Sequence, residues 1–351
     1  MATSQAGLVE FSLVGGRGKL VTSAPKSAAE SKQQQRGDRI CNSHGEISAQ
    51  QAFAALEDPN YVRQIQKITL STKSFTLPAA ELLCEKIKQM VNLEVADISD
   101  TISGIVEAEA YPVLKAFGSA LATLPKLREF HCDRNAIGPR VDAFAGILTG
   151  NIETVSLCVT GMSALACERT AKYFIDNGPL PLNLRALRFA ESTSNSGGAI
   201  AISTLFKHCP KLTDFRLASI RSSSDGMAAV CKELHAAAPP IERLDLSDNN
   251  FMTDDCDAGP PLCAALQSLA PTLIEVNLNY IGRGGLMTTI SDGLAACVNL
   301  RSLSYRGNEA TRVDWNHFGR LLGNHLPQLQ VLVMSEFYIS VNYYYFLKYI
   351  Y

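Results

Sequence analysis

At 351 residues, with 46% hydrophobic and 19% charged side chains, the chain has the composition of a globular protein that can bury a continuous core. Its net charge of −2 argues against a general binder of the nucleic-acid phosphate backbone, which is usually basic. The opening residues show no basic segment followed by an apolar run, and no stretch of about 20 apolar residues occurs, so neither a secretory signal nor a membrane span is expected.

Residues 1–23 read as an N-terminal cap segment in which residues 9–20 (VEFSLVGGRGKL) form a short strand pair against the first repeat. The cluster Gly15-Gly16-Arg17-Gly18 is not followed by a helical pattern, which discounts a phosphate-cradling loop. Residues 24–47 are rich in Ser, Gln and Lys and predict a disordered insertion.

From residue 48 to residue 336 one phrase recurs: apolar, two spacers, apolar, one spacer, apolar, two spacers, and often Asn. Its clearest copies are Ile241-Glu-Arg-Leu244-Asp-Leu246-Ser-Asp-Asn249 and Leu127-Arg-Glu-Phe130-His-Cys132-Asp-Arg-Asn135. The second apolar position falls at Ile68, Ala96, Phe130, Val155, Leu187, Phe215, Leu244, Val276, Leu303 and Leu332, with a mean spacing of about 29 residues. This is the long, helix-containing class of leucine-rich repeat. The fold class expected is α/β, a leucine-rich-repeat solenoid (horseshoe) of about ten repeats, with parallel strands on the concave face and helices on the convex face.

The helical segments fit. Residues 78–90 put Leu82, Leu83, Ile87 and Met90 on one stripe, and residues 225–238 do the same with Met227, Val230, Cys231 and Leu234. Ser163, Ser224 and Thr311 are candidate N-caps, and Pro78, Pro112 and Pro260 are placed near helix starts. Asn135, Asn249 and Asn308 occupy the position whose side chain normally satisfies turn backbone. The interval from Ala96 to Phe130, 34 residues, is the longest, which points to an enlarged strand-to-helix loop. Residues 337–351 (FYISVNYYYFLKYIY) lack the repeat. An apolar end cap, a membrane-surface patch and a non-native extension of the reading frame are all compatible, the last being favoured.

Motifs for chemistry are absent: there is no GxxxxGK[ST], HExxH or GxSxG. The six histidines are dispersed, and His131 is expected on the strand face as a contact residue. Of ten cysteines, Cys132, Cys209 and Cys297 sit at apolar repeat positions, and none forms a CxxC pair. Cys256 and Cys263 make a poor metal pair. No metal or cofactor is expected, and the thiols read as reduced and structural.

Four segments, in order along the chain, resemble the Ran GTPase-activating protein family, whose fold is ribonuclease-inhibitor-like. Phe11-Ser-Leu-Val-Gly-Gly-Arg-Gly-Lys-Leu20 is similar to the family's FSI-x-G-x-x-LKL opening, and Leu93-Glu-Val-Ala-Asp-Ile-Ser-Asp100 with Ser103-Gly104 resembles LEIAEFSDIFTGR. Asn135-Ala-Ile-Gly-Pro139 resembles DNAFGP, and Leu244-Asp-Leu-Ser-Asp-Asn-Asn-Phe251 resembles LDLQDNTF. The resemblance implies a regulator rather than an enzyme. It would be a monomer in the cytoplasm, extending to the perinuclear region, acting in nucleocytoplasmic transport. Its partner would be a Ran-type small GTPase in its GTP-bound form, whose hydrolysis it speeds, with no direct nucleic-acid binding. The resemblance places the partner surface at Asp100, Ser103, Gly104, Asp133, Arg134, Asn135, Asp248, Asn249 and Arg306. The family orients the GTPase's own glutamine with an Asn and an Arg and inserts no arginine finger, unlike Ras-type activators. Here the Arg position holds Ile105 and the Asn position Val159, and Arg134 is the candidate substitute. The alternative is a non-catalytic repeat scaffold that binds Ran or another protein without activating it.

Overall fold

The structure, a computed structural model, describes residues 8–13, 17–22, 46–282 and 286–334. It divides into two compact units, residues 1–160 and 161–351.

The described elements of the first unit are β1 (Glu10–Ser12), β2 (Gly18–Val21), β3 (Glu46–Ser48), α1 (Ala49–Ala52), α2 (Pro59–Gln64), β4 (Lys67–Thr69), β5 (Lys73–Phe75), α3 (Leu77–Ile87), β6 (Val95–Asp97), α4 (Glu107–Leu121), β7 (Glu129–His131) and β8 (Thr154–Ser156). Strands β1, β4, β6, β7 and β8 pair in parallel, in that order, with Phe11, Ile68, Ala96, Phe130 and Val155 in one register row. A separate small sheet pairs β2 with β3 on one side and β5 on the other.

The second unit contains α5 (Ala164–Asp176), β9 (Ala186–Ala190), α6 (Asn195–Ser203), β10 (Asp214–Ala218), α7 (Ser224–Ala237), β11 (Arg243–Asp245), α8 (Gly259–Leu269), β12 (Glu275–Asn277), α9 (Leu286–Leu294), β13 (Ser302–Ser304), α10 (Arg312–Asn324) and β14 (Val331–Val333). Its strands are likewise parallel and aligned, with Leu187, Phe215, Leu244, Val276, Leu303 and Leu332 side by side. All ten repeat positions therefore lie in register rows of their own unit. The fold is an α/β leucine-rich-repeat solenoid.

The core is what the phrase specifies. Ile68, Ala96, Phe130, Val155, Leu187, Phe215 and Leu303 have no exposed surface. One face of each helix meets them: α3 buries Ala80, Leu83 and Ile87, and α7 buries Met227, Val230, Cys231 and Leu234. Aromatic rings pair across the layers, Phe206 with Phe215 at 4.8 Å and Phe130 with Phe144 at 5.1 Å. The repeat around Phe144 lacks a full helix and closes with a 3₁₀ turn at Val141–Phe144. Gly118 of α4 packs against that turn, where an added Cβ would lie 1.9 Å from the Ala143 carbonyl oxygen. Only glycine permits this approach.

The buried thiols are structural, as expected. Burial pushes Cys84, Cys167, Cys209 and Cys297 up to about 12, and Cys132 and Cys231 higher still. Among the described residues no group of His, Cys, Asp and Glu could hold a metal, and no helix is long and apolar enough to cross a membrane.

Several expectations are corrected. The segment 9–20 holds two strands, but they do not pair with each other: β1 extends the repeat sheet and β2 enters the small one. Glu46 and Ile47, expected in the insertion, belong to β3, which β2 pairs; residues 23–45 lie outside the described residues, as does the tail 337–351. Pro112 sits inside α4, because that helix begins at Glu107. Ser223, not Ser224, precedes α7 as its N-cap. Ser163 and Thr311 do cap, the latter in a reciprocal box with Asp314.

Asn135, Asn249 and Asn308 join neighbouring repeats. Asn135 is fully buried. Its Nδ2 donates to the Ile98 and Cys132 carbonyls at 2.9 and 3.3 Å, and its Oδ1 accepts the Thr101 and Ile102 N–H groups at 2.9 and 3.3 Å. Asn308 does the same for Leu278, Ile281 and Gly282. Truncation strands several buried backbone groups, each costing about 1–3 kcal/mol. Urea unfolding of Asn135→Ala is expected to show a loss of about 2–4 kcal/mol, with the exposed neighbour Arg134→Ala within about 0.5 kcal/mol of the parent. Equal small effects would contradict the structural role.

Candidate functional site

The strands are only three to five residues long, and pairing continues beyond them into the strand-to-helix loops. In the first unit Ile98 N–H donates to His131 O (2.9 Å), Asp100 N–H to Asp133 O (2.8 Å), Cys132 N–H to Ser156 O (3.0 Å) and Arg134 N–H to Cys158 O (2.8 Å). Side chains reinforce the row. Ser99 Oγ accepts the Asp133 N–H at 3.0 Å, and Asp133 Oδ1 accepts the Cys158 N–H at 2.7 Å and the Ser156 hydroxyl at 2.8 Å. The second unit repeats this, with Asp248 N–H on Asn279 O, Tyr280 N–H on Arg306 O, and Arg306 N–H on Asn279 Oδ1.

The residue four places after the second apolar position is left-handed in every repeat from Ile68 to Leu303. Thr72, Asp100, Arg134, Val159, Glu191, Ser219, Asp248, Tyr280 and Gly307 have φ between 49° and 71°. This αL turn lets the next residue, often Asn, point into the core. Only one of the nine is glycine, so no glycine pattern announces the turn in the sequence.

The edge so built in the first unit carries most of the resembling residues. Asp100 and Asp133 are joined by the backbone bond above, and Asn135 holds the Thr101–Ile102 backbone. From the small sheet, Phe75 N–H donates to Thr101 O (3.0 Å) and the Ser74 hydroxyl to Ser103 O (2.6 Å). Ser103 and Gly104 are exposed at the loop tip, with Ile105 half-buried and Val106 64% exposed. Arg134 is exposed and forms no ion pair among the described residues. Arg140 instead pairs with Glu107 and lies 5.4 Å from the Tyr111 ring centre, while Tyr111 donates to Asp142. His131 faces the strand side, half-buried, with Nε2 3.8 Å from Glu129.

The expected partner surface divides. Asp100, Ser103, Gly104, Asp133, Arg134 and Asn135 share one edge of the first unit. Asp248, Asn249 and Arg306 belong to the second, where Asp248 and Arg306 flank Asn279 and Tyr280, beside an open hollow of about 390 Å³ lined by Ser219, Ser247, Asp248, Asn279 and Tyr280. Two assignments are corrected: Asn135 and Asn249 are buried and spend their polar atoms on loop backbone, so neither offers a partner a side chain. Asp133 likewise has its carboxylate engaged by Ser156 and Cys158. The long interval 96–130 does have an enlarged strand-to-helix loop, 98–106, longer than the corresponding loops 157–163 and 305–311 though shorter than 246–258, and it also holds α4, the longest described helix.

Some residues were missed. Arg17 forms an ion pair with Asp100 at 3.1 Å. On the strand face of the second unit, Asp214 takes Arg188 at 2.7 Å and Arg243 at 3.1 Å, and Asp245 takes Arg216 at 3.2 Å. Burial alone would raise the Asp214 pKa, but the two guanidiniums outweigh it and the net shift is downward. The two spacer positions beside each central apolar residue carry this signal: they face outward by strand alternation.

No family profile and no curated protein matches the chain. Among solved structures it is similar to an internalin (inlF) from Listeria monocytogenes str. 4b F2365, at 13% identity and a TM-score of 0.37, over 82% of this chain and 95% of that one.

Val159, at the position where the resemblance implies an Asn, is β-branched, 40% exposed and left-handed at φ 58°. A β-branched residue is strained there, whereas Asn tolerates αL. Val159→Asn is expected to raise stability by about 1 kcal/mol in chemical denaturation; a loss of stability would contradict the strain.

Proposed function

We propose that this leucine-rich-repeat protein is a regulator of a Ran-type small GTPase, docking the GTP-bound form on the loop edge of its first unit and promoting hydrolysis. One observation carries the reading. Three of the four segments that resemble the Ran GTPase-activating family, far apart in sequence, meet at one edge: Arg17 of the opening segment pairs with Asp100 of the second, and Asn135 of the third bonds Thr101. The reading rests on that resemblance and on the edge's rigidity. In it the protein acts in the cytoplasm, in nucleocytoplasmic transport, without being an enzyme itself.

Activation works by preorganisation here. A loop already hydrogen-bonded in place would hold the GTPase's catalytic groups without reorganising during reaction. Ile105 and Val159 can neither orient a glutamine by hydrogen bonding nor balance phosphate charge. Losing one such polar group costs about 10²–10³ in rate. Ile105 and Val159, apolar where the resemblance implies Arg and Asn, favour the second reading, a non-catalytic scaffold that binds the same partner.

Single-turnover GTP hydrolysis by a Ran-type GTPase, with the wild-type chain or an Ile105→Arg/Val159→Asn variant added, separates the two. The proposal expects stimulation by the wild type, and about 10²-fold more by the variant. Binding without any stimulation by the wild type favours the scaffold, and absence of binding to the GTP-bound form contradicts both.

A further inference from the structure

We infer that Arg17 is an anion-recognising residue of the docking edge, held in place by Asp100, and that it takes an acidic group of the bound partner. The inference rests on the proposed GTPase reading and names a residue that the resemblance does not assign.

Its geometry is unlike the other ion pairs of the first unit. The Asp100 side chain is only 8% exposed, while that of Arg17 remains 49% exposed, with one guanidinium nitrogen, Nη2, 3.1 Å from the carboxylate. The carboxylate is fixed: Asp100 is left-handed at φ 54°, its N–H is bonded to Asp133 O, and the next residue is pinned by Asn135. The arginine is fixed at its base, because Gly18 begins β2 and registers with Lys73 of β5. That strand also holds the loop tip through Ser74 and Ser103.

A buried carboxylate thus orients a half-exposed guanidinium on the loop whose exposed tip is Ser103–Gly104. Arginine presents five N–H donors in a planar fork, and one ion pair leaves donors facing solvent. A fork already aligned loses little rotamer freedom on binding, which favours bidentate recognition of a phosphate or carboxylate. Arg134 and Arg140 do not match this: the first has no carboxylate holding it among the described residues, and the second stacks on Tyr111 and pairs with the exposed Glu107. Asp100, expected as a direct partner contact, becomes a positioning residue.

The anion could be the γ-phosphate of the nucleotide or an acidic group that both forms of the GTPase present, and the test distinguishes them. The full chain, as wild type, Arg17→Ala, Arg17→Lys and Asp100→Asn, is titrated against a Ran-type GTPase loaded either with a non-hydrolysable GTP analogue or with GDP. Melting temperature is recorded alongside. Arg17→Ala is expected to weaken the GTP-analogue complex at least tenfold without a matching loss of melting temperature. Asp100→Asn is expected to weaken it less, and Arg17→Lys to recover part of the affinity. Weakening confined to the GTP-analogue complex assigns the anion to the γ-phosphate, the group GDP lacks; equal weakening of both complexes assigns it to an acidic group that both forms present. An Arg17→Ala affinity within twofold of wild type in both complexes overturns the inference while leaving the proposed function standing. Failure of the wild type to bind either form overturns both.

Discussion

The hydrogen bonds that run past the strand ends into the loops are the constraint on which this structure depends. Strands of three to five residues give little pairing by themselves. The ladder continues past the strand ends through bonds such as Ile98 to His131 and Asp100 to Asp133, or Leu246 to Asn277 and Asp248 to Asn279, which adds paired backbone beyond the strands. Continuation demands a turn that then leaves the sheet for the helix layer. The left-handed residue makes that turn, and in three of the nine repeats the Asn that follows it, Asn135, Asn249 or Asn308, bonds the loop backbone of the neighbouring repeat from inside the core. Core burial, strand register and loop shape are thus one solution, because a slip in register would also unpair the loops.

The same constraint decides what function the edge can have. A loop whose backbone and Asn side chains are consumed internally has little left to do chemistry with, and displays only tips and a few oriented charges. Among the described residues of the first unit's edge, Ser103, Gly104, Arg134 and the Arg17–Asp100 pair are displayed in this way. This suits recognition of a protein surface, where a rigid edge avoids the entropy of ordering a loop on binding. The strand face of the second unit follows the same rule: Asp214 and Asp245, mostly covered, orient Arg188, Arg216 and Arg243 outward.

Much of this was legible in the sequence. All ten apolar repeat positions were placed correctly, since burial of one face on a fixed period leaves no alternative. The structural role of Asn135, Asn249 and Asn308 was legible from the same phrase, although two of them were also assigned to the partner surface. What was hidden depends on three dimensions. The left-handed turn is filled by Thr, Asp, Arg, Val, Glu, Ser, Tyr and a single Gly, since the ladder rather than the residue type enforces it. Pro112 looked like a helix start because nothing in the spacing shows that α4 begins five residues earlier, at Glu107. Arg17 looked like part of a glycine cluster, and only the pairing of β2 with β5 brings it to Asp100, 83 residues away.

The central claim is that the loop edge is rigid in the free protein, held by the extended ladder and Asn135. Native-state hydrogen exchange measures this directly. The Thr101, Ile102, Asp133 and Arg134 amides, all donors in that network, are predicted to exchange as slowly as the strand amides of Val95 and Glu129, by opening with the fold itself. Exchange of these four at the fast rates of fraying loops, with the strands still protected, would contradict the account.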